Sequence, residues 1–243
     1  MIFRPGMLTR EPFPCEIVRR ISGSVMAEVY LARLQNTQHP VVVKSVAGSA
    51  PESARRALKR EAEILKKVRL ESIPEIYGYF EEREKSYYIM SYHAGISLEE
   101  LSLKKRLEEK EVKKIVLSLC KTLAYLHGKG ILYGDLKPSN VVYSKGKVIL
   151  LDFGTAMEMK NMVQNICFQG TAGYAAPEWY HNGNKTITCQ ADIFSLGATI
   201  YRLLEGQKKN RWQPVLDKCC APEPENRYRS MAEIYNDINK IKI

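Results

Sequence analysis

The hydrophobic pattern of the chain changes near residue 94, and this change limits the folds that the chain can adopt. Between residues 15 and 47, and again between 73 and 93, short runs of β-branched and aromatic residues alternate with turn-forming residues, which predicts antiparallel strands. Residues 53–68 instead repeat their apolar side chains at helical spacing. Residues 1–94 are therefore predicted to form a small β-rich lobe that contains one helix.

Beyond Gly95 the chain is dominated by long helical patterns. Residues 108–130 place apolar side chains on one face and end in glycines, whereas residues 189–206 are apolar on nearly every side, which is typical of a buried helix. Residues 95–243 are thus predicted to form a larger, mostly helical lobe. The predicted fold class is α+β, and we expect the two lobes to form a cleft.

Composition argues against several other classes of protein. The net charge of +10 comes from Lys and Arg residues spread over many segments without interleaved aromatic residues, so no nucleic-acid partner is expected. The chain has no run of about 18 apolar residues, so no transmembrane segment is expected. Pro and charged residues interrupt the N-terminus, which argues against a signal peptide and predicts a cytoplasmic protein. The six scattered cysteines indicate neither a zinc site nor a disulfide framework.

Four segments carry side chains of the kind that phosphoryl transfer requires. That reaction needs a cation on the phosphates, acidic and amide oxygens for Mg²⁺, and a carboxylate near the attacking hydroxyl. Each segment taken alone has an ordinary structural explanation, such as a cap or a solvated helix residue. Their order and spacing together are improbable by chance. The candidates are Lys44 in VVVK, Glu61 in KREAEIL, Asp135, Lys137 and Asn140 in GDLKPSN, and Asp152 in LLDFG.

In order and spacing these residues resemble the protein kinase superfamily, and the resemblance covers nearly the whole chain. GTAGYAAPE at 170–178 is similar to the end of the activation segment in that family. DIFSLG at 192–197 is similar to the buried helix whose Asp holds the catalytic loop, and Arg227 stands where the family pairs an Arg with the residue here numbered Glu178. In overall character the chain is similar to the eukaryotic-like serine/threonine kinases of bacteria.

The resemblance implies roles for the catalytic residues. Asp135 would orient and deprotonate the substrate hydroxyl, and Lys137 would neutralise the charge that develops on the γ-phosphate. Asn140 and Asp152 would hold Mg²⁺. The pattern Asp-x-Lys-x-x-Asn, together with Thr171, implies a protein substrate with a Ser or Thr acceptor.

The resemblance also implies ATP as a cofactor. Lys44 would bind the α- and β-phosphates, and Glu61 would fix the orientation of Lys44 through an ion pair. The other nucleotide contacts would come from a phosphate-covering turn, the two faces of the adenine pocket and a hinge. These residues are Ile21, Ser22, Gly23, Ser24, Val29, Val42, Met90, Ser91, Tyr92, His93 and Val142.

The phosphate-covering turn departs from the Gly-x-Gly-x-x-Gly pattern of the family. Ser22, Ser24 and Ala27 occupy the three glycine positions, and Gly23 lies between the first two. Small side chains still permit a hairpin over the phosphates, but the backbone has less conformational freedom than glycine would allow. We therefore expect a change in nucleotide affinity relative to a turn with three glycines.

Gly134 stands where the family has the Arg of its His-Arg-Asp motif. That Arg normally receives a phosphate on the activation loop, so its loss predicts that loop phosphorylation is not the switch. In the loop only Thr155, Thr171 and Tyr174 carry acceptor hydroxyls, and none lies in its middle. The apolar loop residues are predicted either to fill the local core or to contact a partner, including a second copy of the chain. They are Met157, Met159, Met162, Val163, Ile166 and Phe168.

Three functions agree with these observations. An active protein serine/threonine kinase is favoured by the complete set of charged residues. A pseudokinase that binds partners without phosphoryl transfer is favoured by the glycine-poor turn. A kinase of a small molecule or lipid is disfavoured by GTAGYAAPE. It stays an alternative because only about fifteen residues, the region that would dock a protein substrate, separate the buried helix from the closing helices. This shortening predicts that the substrate-docking helix of the family is truncated or missing.

Overall fold

The computed structural model describes residues 14–23, 27–82, 85–161, 170–180, 187–207 and 210–243. Its contacts divide the chain into two units, Met1–His93 and Ala94–Ile243. In the described ranges, the first unit contains the larger sheet and one helix, and the second contains the other helices and two small sheets. This distribution confirms the predicted α+β class, with a β-rich N-terminal part and a mainly helical C-terminal part.

The first unit is built on an antiparallel sheet with the strand order β1-β2-β3-β5-β4. Its strands are β1 (Cys15–Gly23), β2 (Glu28–Leu34), β3 (Pro40–Ala47), β4 (Ile76–Glu81) and β5 (Lys85–Ser91). Successive side chains of a strand project to opposite faces of the sheet. In β3, Val41 and Val43 belong to a buried apolar cluster on one face. Lys44 therefore projects from the other face.

Helix α1 (Glu52–Lys67) packs against β3, β4 and β5. Its buried apolar residues Leu58, Ala62 and Leu65 recur at helical spacing, as the sequence pattern predicts. Glu61 is buried on the same helix. Because a buried carboxylate is costly without a compensating charge, α1 needs a cationic partner at this position.

The second unit is organised around two buried helices, α3 (Glu109–Gly128) and α4 (Gln190–Leu203). Helix α3 buries a row that includes Ile115, Leu119 and Leu123, and α4 is buried over most of its circumference, as the two apolar patterns predict. The other α-helices in the described part of this unit are α2 (Leu98–Lys104), α5 (Gln213–Cys219) and α6 (Met231–Lys240). Helix α6 packs against α3, and α5 packs against α4.

Short strands of the second unit place two loops side by side. The strands β6 (Ile96–Ser97), β8 (Val141–Ser144) and β9 (Lys147–Leu150) form one sheet, and β7 (Ile131–Leu132) pairs with β10 (Met157–Glu158). Residues 133–140 connect β7 to β8, and residues 151–156 connect β9 to β10. Because β8 pairs with β9 and β7 pairs with β10, both loops lie between the same two small sheets.

The connection between α4 and α5 is short. Its described residues form turns and no helix, and the seven-residue α5 follows directly. Helix α5 lies within the stretch of about fifteen residues that the sequence predicts between α4 and the closing helices, so this stretch itself contains a short helix. The loss of the substrate-docking helix stays a prediction. Within the described ranges, no helix combines the length and the apolar character needed to cross a membrane.

Candidate active site

An ion pair in the first unit joins two of the predicted site residues. Lys44 Nζ lies 2.9 Å from Glu61 Oε1 and 2.8 Å from Glu61 Oε2. The two side chains are 14% and 2% exposed, respectively. The pair supplies the cation that the buried carboxylate of α1 requires, and in turn it holds the ammonium group of β3 in one orientation.

The predicted phosphate-covering turn begins at the end of β1. Ser22 pairs with Val29 of β2, and Ile21 is exposed. Gly23 is not among the residues with a positive φ, so its backbone does not use the freedom that favours glycine. Ser24 lies outside the described residues.

The predicted hinge follows β5. The Ser91 N–H donates to the Glu75 carbonyl at 2.8 Å, and Ser91 Oγ accepts from the Glu75 N–H at 2.9 Å. Ser91 Oγ also lies 2.9 Å from His93 Nε2. Met90 and Tyr92 are half-buried. The start of this segment is thus fixed by backbone and side-chain bonds to the residue before β4.

The three valines predicted to sandwich adenine lie on three different strands. Val42 on β3 and Val142 on β8 are buried, and Val29 on β2 is half-buried. Val42 pairs with Leu31 and Met90 within the sheet of the first unit. Their contact with a nucleotide stays a prediction.

A buried carboxylate in the second unit fixes the loop that follows β7. Asp192 at the start of α4 is fully buried, and it accepts from the Tyr133 N–H at 2.9 Å and from the Gly134 N–H at 2.8 Å. His127 Nε2 lies 2.8 Å from Asp192 Oδ2. The resemblance implied this use of Asp192. It did not reveal His127, because nothing in a single sequence indicates that the end of α3 meets the start of α4.

Three predicted catalytic residues converge in the loop between β7 and β8. Asn140 Nδ2 donates to Asp135 Oδ2 at 3.0 Å and to the Asp135 carbonyl at 2.9 Å. Lys137 Nζ lies 2.9 Å from Asp135 Oδ2. Thr171 Oγ1 donates to Asp135 Oδ1 at 2.7 Å and accepts from Lys137 Nζ at 2.6 Å. Each oxygen of the carboxylate is therefore bonded to a donor, and one of these donors is a hydroxyl.

Asp152 follows β9 in a segment that is bonded to the same loop. The Leu151 N–H donates to the Asn140 carbonyl at 2.8 Å, and the Leu151 carbonyl accepts from the Tyr133 hydroxyl. Asp152 has a φ of 51°, which is uncommon for a residue other than glycine. Its Oδ1 accepts from the Gly154 N–H at 3.3 Å. Residues in such sparsely populated backbone conformations cluster at functional sites, so the conformation of Asp152 is consistent with a functional role.

The fully buried Tyr133 connects the two loops. Its ring packs edge-on against Phe153, with a centroid distance of 5.3 Å and an interplanar angle of 77°. Burial raises the pKa of its hydroxyl well above the usual value, and the carboxylates of Asp152, Asp135 and Asp192 raise the pKa further. The hydroxyl therefore stays neutral and serves as a donor. The sequence indicated an aromatic ring at this position but not the bond that its hydroxyl makes.

A second buried ion pair confirms the expected partnership of Glu178 and Arg227. Arg227 Nη1 and Nη2 each lie 2.7 Å from one oxygen of Glu178, and the side chains are 0% and 1% exposed for Arg227 and Glu178. The other N–H groups of the guanidinium donate to the carbonyls of Gln190, Pro222 and Ala221 at 2.8 to 2.9 Å. Every N–H group of the guanidinium thus has an acceptor.

Comparison with known proteins agrees with this arrangement of groups. A sequence model of the family described as protein kinase domain matches residues 17–213. This chain belongs to the protein kinase family.

Relatives of this kinase domain come from bacteria and from plants. Serine/threonine-protein kinase PknD of Protochlamydia amoebophila is 26% identical over 290 residues, covering 92% of the chain and 29% of that protein. Serine/threonine-protein kinase D of Synechocystis sp. is 27% identical over 269 residues, covering 93% of the chain and 52% of that protein. Serine/threonine-protein kinase Aurora-1 of Arabidopsis thaliana is 31% identical over 195 residues, covering 79% of the chain and 65% of that protein. The chain spans less than two thirds of the length of these three relatives.

Two of the apolar loop residues of this kinase domain fill its local core. Met157 and Met159 pack against a buried cluster that consists of Leu132, Ala175, Ala176, Trp179, Ile187 and Ala191. For these two residues, local packing accounts for the apolar character of the loop. The other four apolar residues, Met162, Val163, Ile166 and Phe168, lie outside the described residues.

The donor atoms of this kinase domain fit a Mg²⁺ nucleotide. Asp152 supplies carboxylate oxygens, and buried Asn140 supplies its amide oxygen. The amide nitrogen of Asn140 donates to Asp135. Among the residues that the structure describes, no three His, Cys, Asp or Glu side chains form a group that could hold a metal ion. Mg²⁺ suits such a sparse donor set, because it is usually held by one or two carboxylates together with phosphate and water oxygens.

Proposed function

We propose that this chain is an ATP- and Mg²⁺-dependent protein serine/threonine kinase. It transfers the γ-phosphate of ATP to a Ser or Thr hydroxyl of a protein substrate. Family membership supports this proposal, and so does the presence of a complete set of ionic and amide groups for the reaction. The set consists of Lys44, Glu61, Asp135, Lys137, Asn140 and Asp152.

The contact between Thr171 and Asp135 is the observation that carries the proposal. The Thr171 hydroxyl donates to Asp135 Oδ1 at 2.7 Å, which lies within the reach of about 2.6–3.2 Å that a general base needs. Lys137 Nζ donates to the same hydroxyl oxygen at 2.6 Å. A substrate hydroxyl in an equivalent position would meet a carboxylate that accepts its proton and an ammonium group that compensates charge on the transferred group. We therefore assign the first role to Asp135 and the second to Lys137.

ATP supplies the phosphoryl group, and Mg²⁺ neutralises part of the phosphate charge. Lys44, held by Glu61, is assigned to the α- and β-phosphates because its ammonium group is fixed and mostly buried. Asn140 and Asp152 are assigned to Mg²⁺ because they lie on bonded neighbouring loops and offer the oxygen donors that this ion prefers. The remaining nucleotide contacts are assigned to residues 21–24, 29, 42, 90–93 and 142.

The kinase is not switched by phosphorylation of its activation loop in this proposal. Gly134 offers no side chain to bind a loop phosphate. The Thr155 hydroxyl donates to the Tyr133 carbonyl at 3.0 Å, and the Thr171 hydroxyl donates to Asp135. A phosphate on either hydroxyl would remove one of these bonds and add negative charge beside a carbonyl or a carboxylate. Phosphatase-treated protein should therefore retain most of its activity.

The test is phosphoryl transfer by the purified chain with Mg²⁺ and labelled ATP, scored for autophosphorylation and phosphoamino-acid identity. Asp135→Asn should lower transfer by about 10²-fold to 10⁴-fold, because it removes the general base. Asp217→Asn is the matched control, because this exposed carboxylate of α5 bonds only to Gln213 among the contacts of the described residues. It should leave transfer unchanged.

Phosphoserine or phosphothreonine in the product supports the assignment of substrate class, and phosphotyrosine contradicts it. A wild-type chain that binds ATP but transfers no phosphate is a pseudokinase, and the proposal is then wrong. Asp152→Ala should also abolish transfer, and wild-type turnover in that variant would contradict its assignment to Mg²⁺. Activity that is lost on phosphatase treatment and regained with phosphate on Thr155 or Thr171 would overturn the proposal on regulation.

A further inference from the structure

The segment that carries Asp152 is bonded to Tyr133 on both sides of Asp152. Before Asp152, the Leu151 carbonyl accepts from the Tyr133 hydroxyl. After Asp152, the Thr155 hydroxyl donates to the Tyr133 carbonyl at 3.0 Å. Between these two bonds, the ring of Phe153 packs edge-on against the ring of Tyr133. A single residue therefore holds this segment at three points, and we call the two hydrogen bonds the Tyr133 clasp.

Tyr133 is itself fixed in position. Its side chain is fully buried, and its N–H donates to Asp192 Oδ2 at 2.9 Å. Asp192 lies at the start of α4, which is buried over most of its circumference. The strand that leads into Tyr133, β7, also pairs with β10, which follows the Asp152 segment. Through the Tyr133 clasp, the Asp152 segment is thus connected to the buried core of the second unit.

The backbone conformation of Asp152 requires support from its surroundings. Its φ of 51° lies in the left-handed region, which is unfavourable for a residue other than glycine. Such a conformation persists only where the surrounding structure determines it. Asp152 is exposed, whereas Phe153, which follows it, is buried. The contacts that determine the conformation of Asp152 therefore include those of its bonded and buried neighbours.

Gly134 leaves the space that the Tyr133 clasp needs. A Cβ atom at residue 134 would lie 3.1 Å from the carbonyl oxygen of Thr155, which is closer than most Cβ contacts. It would also lie 3.6 Å from Thr155 Oγ1. A larger side chain at this position would therefore press on the residue whose hydroxyl closes the clasp. The absence of an Arg at residue 134 and the presence of the clasp agree with each other.

We propose that Thr155 and Tyr133 are positioning residues, and that the Tyr133 clasp holds the Asp152 carboxylate in the conformation that binds Mg²⁺. This inference rests on the proposed function, in which Asp152 is assigned to Mg²⁺. A kinase that is not switched by a loop phosphate needs another group to order this segment, and the clasp uses hydroxyl groups that the chain always carries. Residues that orient a metal ligand typically contribute about 10-fold to 100-fold to metal affinity.

The test is calorimetry of the full chain with a non-hydrolysable ATP analogue, in the absence and in the presence of Mg²⁺. The ratio of the Kd without Mg²⁺ to the Kd with Mg²⁺ measures the contribution of the ion, and it requires no phosphoryl transfer. Thr155→Val and Tyr133→Phe each keep the shape of the side chain and remove its hydroxyl. Each should lower the ratio by about 10-fold or more. The Kd without Mg²⁺ should stay unchanged, because the clasp acts on Asp152 and not on the nucleotide.

Thr155→Ser is the conservative variant, and it should keep the wild-type ratio because a Ser hydroxyl can make the same bond. Two matched controls remove a buried hydroxyl elsewhere in the second unit. Thr122→Val removes the donor to the Ser118 carbonyl of α3, and Tyr228→Phe removes the donor to Asp237 of α6. Both should leave the ratio unchanged. Urea unfolding followed by tryptophan fluorescence shows whether each variant is folded.

A wild-type ratio in either Thr155→Val or Tyr133→Phe overturns the proposal. If Tyr133→Phe does not fold, Thr155→Val decides alone, because Thr155 is only half-buried. A lowered ratio in Thr155→Ser, or an equal loss in the two controls, also overturns the proposal, because the effect then has a general structural cause.

The outcome for the wild-type chain separates this proposal from the proposed function. Binding that does not depend on Mg²⁺ overturns the clasp together with the assignment of Asp152 to Mg²⁺. Binding that depends on Mg²⁺ without any phosphoryl transfer contradicts only the proposed kinase activity. In that case a lowered ratio in Thr155→Val and Tyr133→Phe supports the clasp.

Discussion

Removal of Glu178 should destabilise the second unit by about 3–5 kcal/mol. Breaking a buried ion pair from one side leaves an uncompensated charge, and this is the usual magnitude of that effect. In Glu178→Ala the guanidinium of Arg227 keeps its three carbonyl acceptors but loses both bonds of 2.7 Å, in a site where the two side chains are at most 1% exposed. The lost bonds involve a charged donor, which makes their loss more costly than that of neutral bonds.

Urea unfolding followed by tryptophan fluorescence measures this change. The only two tryptophans of the chain, Trp179 and Trp212, are both buried in the second unit, so their signal reports on that unit. Glu100→Ala is the matched control, because it breaks a Lys104–Glu100 ion pair of 2.6 Å whose side chains are 63% and 55% exposed. An exposed pair contributes about 0–1 kcal/mol, so the control should change stability by no more than this amount.

A double substitution separates the charge effect from simple loss of packing. Arg227→Met combined with Glu178→Leu removes both charges together, and buried pairs replaced in this way often retain their stability. The double variant should therefore be more stable than Glu178→Ala. If Glu178→Ala costs less than about 1 kcal/mol and thus matches the exposed control, the reasoning about the buried charge is wrong.

Three further predictions concern the candidate site. Lys44→Met should lower phosphoryl transfer by about 10²-fold or more in steady-state kinetics, with a smaller loss of ATP affinity by calorimetry, and wild-type turnover would contradict the assignment. Glycine at Ser22, Ser24 and Ala27 together should change the Kd or KM for ATP, because it frees the covering turn, whereas unchanged values would show that the turn contributes little. Gly134→Ala should cost about 1–2 kcal/mol in urea unfolding, because the residue has a φ of 84°, and an unchanged midpoint would argue against backbone strain there. For the same reason Gly134→Arg should not raise activity.

Local patterns made the fold class predictable. Alternation in β3 and helical spacing in α1 and α3 depend only on residues that are close in sequence, and each pattern requires one face of the element to be buried. The buried character of α4 was visible for the same reason. Helix α5 was not predicted, because seven residues are too few to show a clear helical period.

The identities of the ionic groups were also visible in the sequence, and the resemblance implied the Lys44–Glu61 pair, but other partners were not visible. Glu178 and Arg227 were expected to meet because the resemblance pairs these positions, and the structure brings them together. His127 and Asp192 are 65 residues apart and carry no periodic signal that links them. The bond from the Thr155 hydroxyl to the Tyr133 carbonyl was unexpected for the same reason, although both residues lie in recognised motifs.

The sequence by itself determined the β-rich and helical parts of the chain with their main elements, the protein kinase resemblance and the set of candidate residues. These depend on residue type and spacing, which a single chain displays directly. Only the tertiary structure decided that Asp135 receives the Thr171 hydroxyl, that His127 bonds to Asp192, and that the Thr155 hydroxyl donates to the Tyr133 carbonyl. A hydrogen bond requires two groups within about 3 Å at a suitable angle. This condition arises from the packing of segments that are distant in the sequence.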